Sequence, residues 1–408
     1  MHLSATQSAQ NPGSTDTNQF AGNASPFSHQ SYTAEAPCVP CHYLRAAASP
    51  AGGPAEFRRR MRAVGDILAA SRVGAIYLVH GSFAALDSLS ILSSLARHYL
   101  AGRRMISRIA SQIVDADVRD AGNYTPRYAE VFEAATGGRT PVRLVSWSSE
   151  NHHLGRADAA VRLLDELASL ELSGGQRVMF WGHGHAGNVF AMMSQLLSAE
   201  PAVVEQFFAA ASVYYRWPMA GLVDIPVWQR VRQLLTRTRH RLQQRPCDYV
   251  TFGTPVRYGW RLRDDDRLLH FIHHRPSGGR AGHLAAFPAR PQDFEQAAGG
   301  DYLQQVGIAG TDAPPSPLAW RSWLANRRLG RLLAPSYGPH DLADRLQTGA
   351  RVPDCGTTLL VDYGTSFGPL SEHLAGHAVY TRPEWLLFHA EKVVEHHYGG
   401  SDARTQAA

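Results

Sequence analysis

The feature that most constrains the fold is an apolar stretch that turns sharply into a helical pattern near the middle of the chain. Residues 178–181 are uniformly apolar, Gly-His-Gly-His-Ala-Gly follows at 182–187, and residues 188–197 have the composition of a buried helix. A strand that is apolar on both faces must be covered on both sides, and the three glycines of the turn permit a tight reversal. The chain is therefore expected to contain a buried sheet with helices packed against it.

Other apolar runs extend this pattern along the chain. Amphipathic stretches at 86–100 and 156–170 lie between the first three of them. Alternation of this kind predicts an α/β fold, with a mostly parallel sheet and helices on both of its faces. Strands are predicted at 75–80, 142–147, 177–182, 248–253, 268–273 and 357–362.

The domain boundaries follow from changes in composition. Residues 1–55 are rich in small and polar side chains and are predicted to be a disordered tail, as are residues 401–408. Residues 56–400 are predicted to form one domain. It contains two long insertions, at 201–245 and 276–353, of which the first is predicted to be helical. Either insertion can cover the sheet edge and supply pocket walls, or form an additional packing layer.

Composition narrows the functional classes. The formal net charge is +5, but Lys392 is the sole lysine, so the basic charge is almost entirely arginine. This composition is typical of a GC-rich bacterial genome. The basic segment 230–245 has leucine and valine between its arginines, which indicates the solvated face of a helix rather than a nucleic-acid site.

Targeting and cofactor signals are equally sparse. No apolar run is long enough to span a membrane, and the N-terminus lacks a secretory pattern, so a cytoplasmic protein without a membrane span is expected. Cys38, Cys41 and His42 match a haem-attachment spacing, but they lie in the polar tail without a surrounding helical domain. We therefore expect no cofactor. Oligomeric state is not predictable from these features.

Chemically versatile side chains follow several of the predicted strands. His80, Gly81, Ser82 and Phe83 come after the first strand, and the 182–187 turn comes after the third. His377 lies on a loop beyond the last strand. The carboxyl ends of parallel strands meet at one edge of a sheet, so these residues are expected to lie together.

Residues 73–398 therefore resemble the α/β-hydrolase superfamily, particularly its esterase and lipase members. The His-Gly-Ser-Phe run is similar to the family's oxyanion loop, and the 182–187 turn is similar to its nucleophile elbow. The resemblance implies that the N–H groups of His185 and of Ser82 or Phe83 form an oxyanion hole, and that His377 is the general base. The same resemblance implies that His183 is a neighbouring residue that packs against the turn.

Two departures from the family pattern concern the chemistry directly. Gly184 occupies the position at which the elbow carries its nucleophilic serine. No acidic residue stands at the expected short spacing after a late strand. The candidates for the acid that orients His377 are Asp293, Asp301, Asp312 and Asp362, and the sequence does not choose among them.

These observations predict an esterase-type protein, impaired in covalent catalysis, with a small apolar or ester-type ligand. In one alternative, His377 activates a water in the space left at Gly184. Another is a metal site formed by histidines at the sheet edge, and the last is a non-catalytic interaction module. An absent bridging hydroxyl predicts about 5–8 Å between the His377 ring and the Gly184 Cα. The histidines considered for a metal are His80, His152, His153, His183, His185, His273, His274 and His377.

Overall fold

A parallel sheet of seven strands organises the chain. The computed structural model describes residues 27, 39–46, 53–81, 122–217, 223–237, 240–276, 278–288, 290–310, 312–333, 339–366 and 368–399. The sheet order is β1-β7-β6-β5-β4-β2-β3, and every neighbouring pair is parallel, which confirms the predicted α/β class. The strands are β1 (Cys41–Arg45), β2 (Val73–Val79), β3 (Val142–Val145), β4 (Arg177–His183), β5 (Cys247–Phe252), β6 (Arg267–His273) and β7 (Thr357–Asp362).

Six of these strands coincide with predicted ones to within two residues at either end. In five of them the interior side chains are almost entirely buried, as expected for strands covered on both faces, whereas the edge strand β3 is only partly buried. The predicted helix at 86–100 and the C-terminal tail at 401–408 lie outside the described residues.

The edge strand β1 differs from the sequence-based expectation. It lies within residues 1–55, which composition predicts to be disordered, yet it pairs with β7 from Cys41 to Arg45. The prediction failed here because the order comes from pairing with a distant strand and not from local apolar content. Tyr43 remains 53% exposed, so the strand buries little surface of its own. The domain also begins slightly earlier than predicted, because the first helix starts at Gly53.

Helices cover both faces of the sheet and enclose two apolar cores. The helices are α1 (Gly53–Ala70), α2 (Pro126–Ala135), α3 (His153–Ser169), α4 (Ala186–Ser198), α5 (Pro201–Tyr215), α6 (Pro226–Arg237), α7 (His240–Gln243), α8 (Pro291–Glu295), α9 (Tyr302–Ala309), α10 (Trp320–Leu333), α11 (Pro339–Thr348), α12 (Leu370–His373) and α13 (Leu386–Tyr398), with 3₁₀ turns at Leu374–Thr381 and Pro383–Trp385. One core packs α3, α4, α5, α6 and α10 against the sheet, and the other packs α1, α2 and α13 against its opposite face.

The predicted insertions are largely helical. Residues 201–245 contain α5, α6 and α7, and residues 276–353 contain α8 to α11. Within the described ranges, none of these helices, and none elsewhere, combines the length and apolar character needed to cross a bilayer.

The strand order places a crevice between β2 and β4. After β2 the chain passes outward to β3, then crosses back over β2 to form β4, and then continues toward the other edge. Ligands of open parallel sheets bind at such a reversal, at the carboxyl ends of the strands, here those of β2 and β4. Gly81 and Gly184 follow these two ends, so the topology brings the two glycine turns together.

Candidate functional site

The turn at residues 182–187 is a sharp strand-to-helix corner, as predicted. β4 ends at His183, Gly184 has a φ of +52°, and α4 begins at Ala186. The N–H of Gly184 donates to the carbonyl of Phe252 at 2.8 Å, and its own carbonyl accepts from the Thr254 hydroxyl at 2.8 Å. The corner is therefore fixed to β5 and to the loop that follows β5.

The flanking glycines are required by close packing. A Cβ added to Gly182 would lie 2.3 Å from a ring carbon of Phe190. At Gly187, an added Cβ would lie 2.2 Å from the Thr254 hydroxyl oxygen. Real Cβ atoms do not approach neighbours this closely, so both positions exclude larger residues while the corner keeps this shape.

The imidazole of His377 faces Gly184. A Cβ added to Gly184 would lie 3.0 Å from His377 Nε2 and 3.5 Å from the Cα of Gly81. Because a Cα–Cβ bond is about 1.5 Å long, the Gly184 Cα lies no more than about 4.5 Å from Nε2. Nε2 is thus closer to the Cα than the about 5–8 Å predicted for the ring, because the ring packs against the turn more closely than an intervening hydroxyl requires.

Among the four acid candidates, Asp301 is the one in contact with His377. Its Oδ2 lies 2.8 Å from His377 Nδ1 and accepts a second hydrogen bond from the Tyr380 hydroxyl at 3.0 Å. Its Oδ1 caps α9 by accepting from the N–H of Gln304 at 2.9 Å. Both carboxylate oxygens of this fully buried side chain are thus occupied.

Neighbouring groups stabilise the negative charge of the buried Asp301 carboxylate. Burial by itself raises the pKa of this carboxyl, but the positive charge and hydrogen bond of His377, the bond from Gln304 and the charge of Arg351 outweigh it, so the pKa is lowered. The Asp301 carboxylate is therefore ionised at neutral pH. In the neutral form of the His377 ring this carboxylate accepts the Nδ1 proton, so the lone pair of that form is on Nε2, which faces the turn.

Arg351 is a buried cation without a carboxylate in contact among the described residues. It is fully buried, and it donates to the carbonyl of His273 at 2.7 Å and to the side-chain oxygen of Gln305 at 3.0 Å. The same His273 carbonyl accepts from the N–H of Asp301 at 3.0 Å. Arg351 therefore fixes the backbone that carries Asp301. Sequence reasoning missed Arg351, Tyr380 and Gln304, since no local motif marks them.

The loop before His377 has an unusual backbone. Leu374, Ala375 and Gly376 all have positive φ, at 48°, 52° and 90°. Each non-glycine residue in this region costs on the order of 1–3 kcal/mol, so the surrounding contacts must hold the loop. His183 contributes by donating from Nε2 to the carbonyl of His377 at 2.9 Å. Burial lowers the pKa of His183 well below its usual value, so this ring stays neutral.

The other acid candidates have different partners. Asp312 accepts from Arg156 at 2.7 Å and from Arg257 at 2.8 Å. Asp293 pairs with Arg290 near the surface. Asp362 lies 3.1 Å from Arg275 and accepts from the N–H of Gly364.

His185 marks the N-terminus of α4 and is held by its neighbours. Its Nδ1 lies 3.0 Å from the side-chain nitrogen Nδ2 of Asn188 and 3.3 Å from Nη1 of Arg156. Asn188 also accepts from the N–H of Arg257 at 2.9 Å, so the ion cluster at Asp312 is joined to the turn. Ser82 and Phe83, the predicted second half of the oxyanion hole, lie outside the described residues.

The histidines considered for a metal site do not converge on one point. Within the described ranges, no three metal-ligating side chains are grouped at a spacing that would hold an ion. His80 accepts from the N–H of Trp147 through Nε2, and its Nδ1 lies 2.9 Å from the carbonyl of Gly81. The others have their own partners: His152 caps α3, His153 contacts Tyr258, and His273 and His274 contact the carbonyls of Gly376 and Gly282.

A cavity of about 380 Å³ opens beside the His377 loop. Its walls include Asn123, Thr125 and Tyr128 on one side, and Glu372 and Arg382 on the other. The walls of this cavity come from the start of α2 and from the loop around His377, and not from the two insertions that the sequence favours.

Comparison of the chain with protein-family models, with curated proteins and with solved structures found no match.

Proposed function

We propose that this chain is an α/β-hydrolase-type protein of the esterase and lipase class that retains the acid–base pair but lacks the nucleophile. The observation that carries the proposal is the contact of His377 with Asp301 on one side and with the Gly184 corner on the other. These residues occur in the order Gly184, Asp301, His377, and α/β-hydrolases use the order nucleophile, acid, histidine. A bacterial origin and a cytoplasmic location remain part of the proposal.

The chemistry of the retained pair is that of a general base. Asp301 holds the Nδ1 proton of His377, so Nε2 can take a proton from a group placed at the turn. In an enzyme with serine at 184, that proton comes from the hydroxyl as it attacks an ester carbonyl. Without the hydroxyl no acyl-enzyme forms, and loss of the nucleophile in a comparable enzyme costs about a millionfold in turnover.

The ligand proposed for the site is a small apolar or ester-type molecule. The crevice between β2 and β4 brings the N-terminus of α4 and the Gly81 turn to one place, so a carbonyl oxygen can be bound at the backbone N–H of His185. In the natural chain such a molecule is bound without covalent attachment.

The test is the variant Gly184→Ser with a fluorophosphonate probe, which labels activated serines. We expect stoichiometric labelling of this variant and none of the natural chain. Gly184→Ala is the matched control, because it adds the same Cβ near His377 and the same backbone strain without a hydroxyl. If Gly184→Ser folds as stably as Gly184→Ala and is not labelled, the proposal is wrong.

A second candidate activity is hydrolysis by a water molecule. The retained Asp301–His377 pair favours it, because the base does not depend on the identity of residue 184. His377 would take a proton from water as the hydroxide adds to the ester carbonyl, and would return that proton to the departing alkoxide. This route gives slow turnover without a burst of acyl-enzyme, and His377→Ala abolishes it.

A further inference from the structure

One face of α10 carries aromatic and basic side chains away from the core. Trp320, Trp323, Arg327 and Arg331 recur at spacings of three and four residues and therefore share one side of the helix. The buried side chains, including Ala325, Leu329 and Leu333, occupy the opposite side and pack into the core. We call the first group, together with Leu318 and Trp217, the Trp–Arg face.

The apolar side chains of this face are unusually accessible. Leu318 is 94% exposed, Trp320 is 49% exposed and Trp217 is 44% exposed. Trp217 is included in the face because the guanidinium of Arg321, on the first turn of α10, lies 4.9 Å from the centre of the Trp217 ring. Three of the five large apolar side chains that are exposed in the described residues therefore lie at one end of α10.

The arginines of the face have an uncompensated charge. Arg327 and Arg331 are exposed, as is the adjacent Arg328 outside the face, and among the described residues none of the three forms an ion pair. Arg327 instead lies 5.4 Å over the ring of Trp323. On α6, by contrast, Arg230 and Arg232 are paired with Asp165 and Glu205. The charges of these two α6 arginines are therefore compensated, whereas those of the three α10 arginines are not.

We infer that the Trp–Arg face docks on a membrane surface that contains anionic phospholipids. Tryptophan prefers the boundary between headgroups and acyl chains, and arginine at the same depth pairs with lipid phosphates. The exposed Leu318 favours a membrane over a single-stranded nucleic acid as the partner. An isolated aliphatic side chain cannot stack on bases, but it inserts among acyl chains. The helix would lie along the interface and not cross it. This inference is independent of the proposed function.

The test uses the full chain in flotation with lipid vesicles. We expect binding to phosphatidylcholine vesicles that contain about 30% phosphatidylserine, weak binding to pure phosphatidylcholine, and release at about 0.5 M salt. Arg327→Gln with Arg331→Gln weakens binding roughly thirtyfold, on the order of fivefold for each arginine. Leu318→Ser with Trp320→Ser weakens binding to the anionic vesicles while preserving the preference for them.

The matched control removes the same charge elsewhere. Arg58 and Arg62 on α1 are also exposed and without an ion pair among the described residues, so Arg58→Gln with Arg62→Gln should leave vesicle binding within twofold. An equal loss in this control would overturn the proposal in favour of general charge attraction. Absence of binding to anionic vesicles, or binding to a thymidine oligonucleotide that requires the α10 arginines while vesicles are not bound, would also overturn it.

Discussion

The ion cluster around Asp312 offers the sharpest quantitative test of the site's architecture. Asp312 is the carboxylate shared by Arg156, which is fully buried, and Arg257, which is 5% exposed. Asp312→Asn keeps the shape of the side chain but removes the negative charge, so two buried cations lose their compensation. Breaking a buried ion pair from one side costs about 3–5 kcal/mol. For a chain of this size, ~4 kcal/mol lowers Tm by about 5 °C.

The assay is unfolding by denaturant, with the free energy of unfolding measured for each variant. Asp293→Asn is the matched control, because Asp293 pairs with an arginine that is 73% exposed and such pairs contribute about 0–1 kcal/mol. We expect Asp312→Asn to lose at least ~3 kcal/mol and Asp293→Asn less than ~1 kcal/mol. A loss below ~1 kcal/mol for Asp312→Asn would refute the assignment of Asp312 to a structural cluster.

Four further predictions concern the Asp301–His377 pair and the buried carboxylates around it. In the Gly184→Ser variant, Asp301→Asn should slow fluorophosphonate labelling by about 10⁴-fold. In a comparable triad, the same Asp→Asn change leaves the histidine in the wrong tautomer and slows turnover by that factor. An unchanged rate would exclude Asp301 as the acid. Arg351→Met removes a positive charge near Asp301 and so raises the pKa of that carboxyl toward its unfolded value, which should make the loss of stability below about pH 4 less steep; thermal unfolding from pH 7 to pH 2 measures this, and an unchanged slope contradicts it. The pKa values of Asp301 and Asp312 are both lowered on folding, so their stabilisation is present above about pH 4 and is lost as the pH falls through their folded-state values; thermal unfolding from pH 7 to pH 2 should show a steep loss in the natural chain and a flatter one in Asp312→Asn. Finally, if the natural chain hydrolyses p-nitrophenyl esters slowly, His377→Ala should reduce the rate to that of buffer, and equal rates would show that the imidazole takes no part.

The buried strands were predictable because their own side chains specify them. In β4 and β5 the side chains at almost every position are removed from water, and a short, mainly apolar run of this kind is typical of a strand covered on both faces. The corner at Gly184 was predictable for a related reason, since it lies between glycines at 182 and 187, where larger residues cannot be accommodated. β1 was not predictable in this way, because its order depends on β7, more than 300 residues away in sequence.

The choice of Asp301 required three-dimensional information. Asp301, the carboxylate in contact with His377, lies beside the end of a late strand in space but not in sequence. After β6 the chain leaves the sheet edge at His274 and returns at Gly300, where the two residues form an antiparallel bridge. The N–H of Asp301 then donates to the carbonyl of His273, the last residue of β6. A loop that closes on itself thus carries the acid back to the strand end, and no local pattern marks where it closes.

The position of Asp301 does not by itself show that the site performs chemistry. This carboxylate caps α9 and accepts from Tyr380, and both contacts would stabilise the fold if His377 were absent. His377 is different, because its loop contains two non-glycine residues with positive φ directly before it, and its Nε2 faces the turn instead of a fixed protein partner. Backbone strain of about 1–3 kcal/mol for each such residue persists only where the structure gains something by holding a side chain in place. The placement of the imidazole therefore supports a functional site at this corner more strongly than the buried carboxylate behind it does.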